Sequence, residues 1–396
     1  MYSPKVISFS EYVHRNDYIC KKFRMYNRIL NNIIIKRANK GKAIIVIGPR
    51  QAGKTTLLKT ILNSTDYLSL DADNPIVRDT LTNPNTEQLK TIIGKHKIVF
   101  IDEAQRIENI GITLKIITDQ FTEIQLYVSG SSSFDLQNVL NEPLTGRKWE
   151  FELFPVSWEE YEEKHGFLHA EQNIENRIVF GFYPDVLNNT GDEKIILKQL
   201  VNSYLYKDVL SLSGIRKPYI LEKLVKALAF QIGSEVSYNE LSQIVGVDKN
   251  TISKYILLLE QAFIVFRLPA YSRNLRNEIK HNQKIYFYDT GIRNAVIGNF
   301  TPFSSRIDKG ALWENFLIAE RLKQNKYKDT FAQMYFWRTK QQQEVDFVEE
   351  IDNKLIGFEF KWIARSNTTL PRTFVNTYKA ETMIVDKSNF RKFVVI

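Results

Sequence analysis

The 396-residue sequence has a single cysteine, Cys20, which excludes an internal disulfide and a zinc site built from cysteines. That usage fits a reducing compartment, and the expectation is a cytoplasmic protein. No apolar run approaches the roughly 18 to 20 residues that span a bilayer. The longest candidate, Ile256 to Phe266, is broken by Glu260 and Gln261, so no membrane partner is expected. The opening residues, MYSPKVISFSEY, lack the basic-then-apolar layout of a signal peptide. His14, His96, His165, His169 and His281 are scattered without ligand spacing. Internal repeats and low-complexity segments are absent as well.

What is present is ordinary globular material, 43% hydrophobic and 25% charged, which argues against wholesale disorder. The length allows several domains, each with its own core. The formal net charge of +9 fits a nucleic acid or an anionic membrane surface as partner, and equally fits a plain basic protein. From residue 41 to about 160 short apolar runs alternate with helical stretches, the pattern of a parallel sheet with crossover helices. The runs are Ala43–Ile47, Tyr67–Leu70, Lys97–Ile101, Ile124–Val128 and Trp149–Leu153. The chain then turns helical, with Leu, Val and Ile at i, i+3 and i+4 in KIILKQLVNSYLYKDVL.

AIIVIGPRQAGKTTLL reads as an apolar strand, the pattern Gly48-x-x-x-x-Gly53-Lys54-Thr55, then a helix. Such a loop, from Gly48 through Pro49, Arg50, Gln51 and Ala52 to Gly53, turns backbone N–H groups toward phosphate oxygens. The helix that follows adds its positive dipole end, with Thr56 in its first turn. Lys54 would reach the β- and γ-phosphates of ATP, and Thr55 would offer a hydroxyl to Mg²⁺. KIVFIDEAQ is an apolar strand ending in Asp102 and Glu103, at the edge where open α/β sheets hold ligands. Asp102 would join the Mg²⁺ shell, and Glu103 would polarise the attacking water. A third strand, QLYVSGSSSF, ends in Ser131 and Ser132, either γ-phosphate contacts or plain turn residues. Arg147, in LTGRKWEF, is either a surface arginine or a finger reaching a neighbouring subunit's γ-phosphate. Asp71 and Asp73 either touch nucleotide or cap the next segment.

The segments GPRQAGKTTLL, FIDEAQRI, VSGSSS, LTGR and ELFPVSWEEY resemble the AAA-class ATPases of bacteria and archaea. GFYPDVL, YLYKDVL, YFYDTGIRNAVIG, LWENF, YFWRT and EVDFV continue the likeness, in order, to the subfamily with a C-terminal domain of unknown function. Two departures are Phe182, where a glycine is usual, and Lys207, where arginine is frequent. The resemblance implies an α/β P-loop NTPase sheet of AAA type with the Walker B strand third, a helical lid, and homo-oligomers. It divides the chain into an N-terminal helical segment (1–40), the ATPase core (41–165), the lid (166–232), a winged helix (233–300) and a restriction-endonuclease-like domain (301–396).

SYNELSQIVGVDKNTISKYILLLEQAFIVFRL reads as helix, turn at Gly246, and second helix, with Tyr238, Leu241 and Ile244 set against Ile252, Ile256 and Leu259. In a DNA-binding version Lys249, Asn250, Thr251 and Lys254 would meet base edges. Arg273, Arg276, Lys280 and Lys284 of the next stretch would meet phosphates. The alternative is a winged helix that packs between domains and touches no nucleic acid.

In the last stretch Glu314 lies on a helix, Asp346 on a strand, and Glu359 and Lys361 two apart on a second strand beyond a turn at Asp352 and Asn353. A helical Glu, a strand Asp and a strand Glu-x-Lys form the metal site of the restriction-endonuclease-like fold, which this region resembles. There Glu314, Asp346 and Glu359 would hold Mg²⁺ against a phosphodiester and Lys361 would steady the attacking water. Two functions stay open: an ATP-driven factor that binds and cuts DNA, or an ATP-dependent switch acting on a protein partner with a silent nuclease-like domain. A metabolic P-loop kinase is disfavoured, because Glu103 suits activation of water.

Overall fold

A computed structural model describes residues 25–131, 144–203, 218–272 and 283–395. The first unit is a parallel sheet of β1 (Ala43–Gly48), β2 (Leu68–Asp71), β3 (Ile98–Asp102), β4 (Gln125–Ser131) and β5 (Lys148–Glu152), in the order β2-β3-β4-β1-β5. All five expected runs are therefore strands, and β3 is the third along the chain. β1 is buried at every position, which is why its sequence is a continuous apolar run and not an alternation. Around the sheet run α1 (Ile29–Arg37), α2 (Lys54–Leu62), α3 (Pro75–Leu81), α4 (Thr86–Ile93) and α5 (Ile110–Gln120). Beyond β5 come α6 (Trp158–His165), α7 (Phe167–Phe180), α8 (Pro184–Asn188) and α9 (Glu193–Leu200). Ser157 starts α6 through a reciprocal capping box with Glu160.

The middle unit runs α10 (Pro218–Phe230), β6 (Glu235–Val236), α11 (Tyr238–Val245), α12 (Lys249–Gln261), β7 (Val265–Pro269) and β8 (Gln283–Phe287). Its sheet is antiparallel, in the order β6-β8-β7. Leu241 and Val245, one helical turn apart, take the inward face of α11 with Ile252, Ile256 and Leu259 of α12. That face leaves Ile244 turned out and 51% exposed, not packed as the sequence had implied.

α13 (Thr290–Ile297) leads to α14 (Lys309–Lys328), β9 (Gln333–Arg338), β10 (Glu344–Ile351), β11 (Lys354–Phe360), α15 (Arg372–Tyr378), β12 (Glu381–Val385) and α16 (Arg391–Val394). β9, β10 and β11 form an antiparallel meander, and β12 returns parallel to β11. The β10–β11 hairpin turns at Asp352 and Asn353, both at positive φ (50° and 64°), as short polar side chains allow.

α14 also meets the segment that follows β5. The Trp158 amide donates to Glu320 Oε2 at 2.6 Å, and Lys323 Nζ donates to Glu320 at 2.6 Å and to the Val156 carbonyl at 3.3 Å. The Phe154 amide donates to the Tyr327 hydroxyl at 3.2 Å. Among the described residues no helix is long and apolar enough to cross a membrane.

Candidate nucleotide site

The loop after β1 is held against the end of β5. The Leu153 amide donates to the Ile47 carbonyl at 2.8 Å. A Cβ on Gly48 would lie 2.1 Å from the Leu153 carbonyl oxygen, so this position admits no side chain. Gly53, at φ 98°, sits just before α2 and turns the chain into it. The first helical residue, Lys54, is buried, and its Nζ donates to the carbonyls of Gly48 (2.9 Å) and Pro49 (2.8 Å). Burial pushes its pKa down to about 8, while Glu103 and Asp102 pull upward and Arg50 pushes down again. Thr55 is half-buried beside it and Thr56 is exposed.

Thr55 Oγ1 donates to Asp102 Oδ1 at 3.1 Å, so the two oxygens expected to share a cation are neighbours. The same Oδ1 accepts from the Ser129 hydroxyl in a short bond and from the Glu103 amide at 3.2 Å. Glu103 has a left-handed backbone (φ 52°), an uncommon conformation for this residue type that turns the chain sharply off β3. Its Oε2 accepts from Gln105 Nε2 at 2.6 Å, and Gln105 Oε1 accepts from the Ser131 amide at 3.2 Å. Gln105 thus ties the ends of β3 and β4 together.

Arg28, just before α1, is buried behind the loop. Nε donates to Glu160 Oε2 at 3.0 Å, and the two terminal nitrogens donate to the carbonyls of Ala52 (2.8 Å) and Phe154 (2.5 Å). The Ile29 amide closes the pair through Glu160 Oε1 at 2.8 Å. Beside the loop, α1, α2 and α8 enclose a cavity of about 550 Å³.

Sequence reasoning missed Arg28, Ser129 and Gln105. Ser129 carried a signal, as a polar residue directly after the apolar run Leu126–Val128, in a strand whose register sets it beside Asp102. Arg147 is not brought to the loop of its own chain. Its carbonyl accepts from the Ala43 amide at the start of β1, the edge opposite Gly48, and its side chain pairs with Asp119. Asp71 and Asp73 do not cap α3, because Asn74 does so. Asp71 Oδ1 instead accepts from the Asp73 amide, and Asp73 pairs with Arg106 at 3.0 Å.

The C-terminal carboxylates are arranged differently from expectation. Lys284, read above as a phosphate contact, is fully buried and pairs with Glu314 (3.0 Å) and Glu344 (2.5 Å). Glu314 also accepts from the Tyr286 hydroxyl. Burial pushes the Glu314 carboxyl up to about 7, with Lys284 opposing and Asp346 adding to the rise. Asp346 accepts from the Phe360 amide at 2.8 Å, and Lys361 pairs with Glu359 at 2.6 Å. Burial would lower the Lys361 ammonium, but that bond and the fields of Asp346 and Glu314 raise it. Among the described residues no three His, Cys, Asp or Glu side chains are grouped to hold a metal ion. Glu314, Asp346, Glu359 and Lys361 lie within electrostatic reach of one another, and the Lys284 ammonium engages Glu314. Arg273, Arg276, Lys280, Lys207 and Ser132 lie outside the described residues.

Residues 40–162 match the model of the AAA domain family. Residues 171–302 and 309–394 match two domains of unknown function, DUF8612 and DUF4143. An uncharacterized protein of Mycobacterium tuberculosis is 27% identical over 338 residues, covering 83% of this chain and 72% of that protein. An uncharacterized protein of Haemophilus influenzae is 25% identical over 386 residues, covering 89% and 88%. The Walker-type ATPase of Pyrococcus abyssi shares the fold with a TM-score of 0.50 at 14% identity, covering 69% of this chain and 96% of that one. The parallel sheet, the Gly48–Thr55 loop and the family match together identify an AAA-type ATPase domain in this chain.

Proposed function

We propose that the chain binds ATP with Mg²⁺ at the Gly48–Thr55 loop and hydrolyses it. The observation that carries this reading is the meeting of Thr55, Asp102 and Glu103 beside the buried Lys54. A hydroxyl and a carboxylate are hard oxygen donors and fit Mg²⁺, whose charge would offset that of the phosphates. Lys54 places an ammonium at the phosphates, and Glu103 accepts the proton of the attacking water. Arg147 faces away from its own loop, so a contact with γ-phosphate would be made to a neighbouring copy in a homo-oligomer.

The test is phosphate release by the full chain beside Lys54→Ala and Glu103→Gln. The expected result is loss of nucleotide binding in the first. The second should retain binding and lose hydrolysis by about a hundredfold or more. Unchanged turnover in Glu103→Gln would overturn the assignment.

The element order of the middle unit supports a winged helix, with Lys249, Asn250 and Lys254 exposed at the start of α12 for DNA. The Thr251 hydroxyl is engaged by Asp248. The helix, meander and returning parallel strand of the last unit support a restriction-endonuclease-like domain. The Lys284–Glu314 pair favours a silent nuclease-like domain, the feature that belongs to the second of the two functions. Plasmid and single-stranded DNA incubated with Mg²⁺ or Mn²⁺ should stay intact, with and without ATP. Cutting that disappears in Asp346→Ala would reverse that choice.

A further inference from the structure

Asn31 lies in the first turn of α1, and its Oδ1 is buried without a hydrogen-bond partner among the described residues. Its side chain lines the cavity beside the phosphate loop, with Ala52, Gly53 and Leu57 on one side and Pro184 on another. A buried amide oxygen left without a donor is costly, and native chains keep one where a donor arrives from elsewhere. Three of the side chains beside it already have other partners. Arg28 is spent on Glu160, Ala52 and Phe154, and Asn27 Nδ2 donates to Glu163. The Tyr26 hydroxyl is engaged with the His165 ring.

We propose that Asn31 Oδ1 accepts a hydrogen bond from the exocyclic 6-amino group of adenine, so that this cavity selects ATP over GTP. The inference rests on the ATP reading above and adds the residue that sets base choice. The loop and Lys54 fix the phosphate end, and the cavity begins at Ala52 and Gly53 and continues along α2. Its volume of about 550 Å³ falls in the range of ordinary ligand pockets and accepts a purine nucleoside. Met25 and Leu57 supply apolar surface for the ring faces. Guanine and hypoxanthine carry a carbonyl at position 6, which would set acceptor against acceptor at Oδ1. Adenine alone among the common purines offers a donor there.

The experiment measures equilibrium binding of three triphosphates to the full chain with Mg²⁺. They are ATP, purine riboside triphosphate (no 6-substituent) and inosine triphosphate (6-oxo). The wild-type chain should bind purine riboside triphosphate about tenfold more weakly than ATP. Inosine triphosphate, which leaves two acceptors facing each other, should bind about a hundredfold more weakly. In Asn31→Leu and in the smaller Asn31→Ser the three affinities should converge to within about twofold, because each deletion removes the same contact. Asn31→Asp keeps the oxygen and should keep the preference for ATP. The proposal is overturned if the wild-type chain does not distinguish the three, or if Asn31→Leu and Asn31→Ser retain the full discrimination. Binding no stronger than in Lys54→Ala would instead overturn the nucleotide reading itself.

Discussion

The Arg28 guanidinium holds the Ala52 carbonyl at 2.8 Å, so a residue preceding α1 fastens the phosphate loop from behind. The same group neutralises the buried carboxylate of Glu160. Arg28→Ala would strand a buried carboxylate and two carbonyls. The expected loss is about 3 kcal/mol or more of stability, read as a shift of the guanidinium-chloride midpoint. Arg28→Lys should recover part of it, since an ammonium cannot reproduce the fork.

Lys54 sets a pH limit on nucleotide binding. Its ammonium, with a pKa near 8, is charged below that pH and neutral above it. Only the charged form pairs with phosphate, so affinity for ATP should be flat below pH 8 and fall by up to about tenfold per unit above it. The unliganded chain gains stability from this group as pH rises from 8 toward 10.5, because burying the ammonium is unfavourable. Titration calorimetry between pH 7 and about 9.5 reads the affinity, and a flat profile would contradict the argument. Lys54→Arg should remove the pH dependence wherever it still binds, since a guanidinium stays charged throughout.

Gln105 keeps the Glu103 carboxylate in place through one amide nitrogen while its oxygen holds the Ser131 amide. Gln105→Leu should lower kcat by about tenfold and leave KM for ATP unchanged, as expected of a group that orients the base without touching substrate. Gln105→Glu sets a second carboxylate beside Glu103. It should also move the acid limb of the pH–rate profile upward, because like charge favours the protonated form. A change in KM alone would place Gln105 in binding.

Lys284 is the counter-ion of Glu314 and Glu344. Lys284→Met leaves two carboxylates without their shared cation, at an expected cost of about 3 kcal/mol at pH 8. Glu314 already titrates near 7, above its ordinary 4.5, so its folded form favours the protonated state. Its contribution is therefore full below pH 4.5 and lost as pH rises through 7. The deficit of the variant should shrink as pH falls from 8 to 5. Urea midpoints across that range decide, and a deficit independent of pH would show that the lost packing matters more than the charge.

The ATPase unit was legible because its signals are local. Five apolar runs, one glycine-framed loop and an Asp-Glu at a strand end each occupy a few consecutive residues. The Asp352–Asn353 hairpin was legible for the same reason. What escaped depends on partners remote in sequence: Arg28 meets Glu160 132 residues on, and Glu314 meets Lys284 across 30. Lys284 was read as surface because it follows a basic stretch. Its neighbours Ile285, Tyr286 and Phe287 are buried as well, so the strand shows no alternation to betray an inward lysine. Gly48 was legible as a motif position, but the reason for it, the Leu153 carbonyl, was not.

The contacts of α14 with the segment after β5 bear on how the chain comes into being on the ribosome. The Trp158 amide is satisfied by a carboxylate 162 positions downstream, and the Phe154 amide by a hydroxyl 173 positions downstream. At a synthesis rate of roughly 5–20 residues per second, those partners emerge about ten to thirty seconds after the strands of the sheet. During that delay the nascent sheet carries an unfinished edge, with Phe154, Val156 and Trp158 still uncovered by α14. The wait falls on the very segment that fastens Arg28, so the phosphate loop gains its full backing only once α14 has been made.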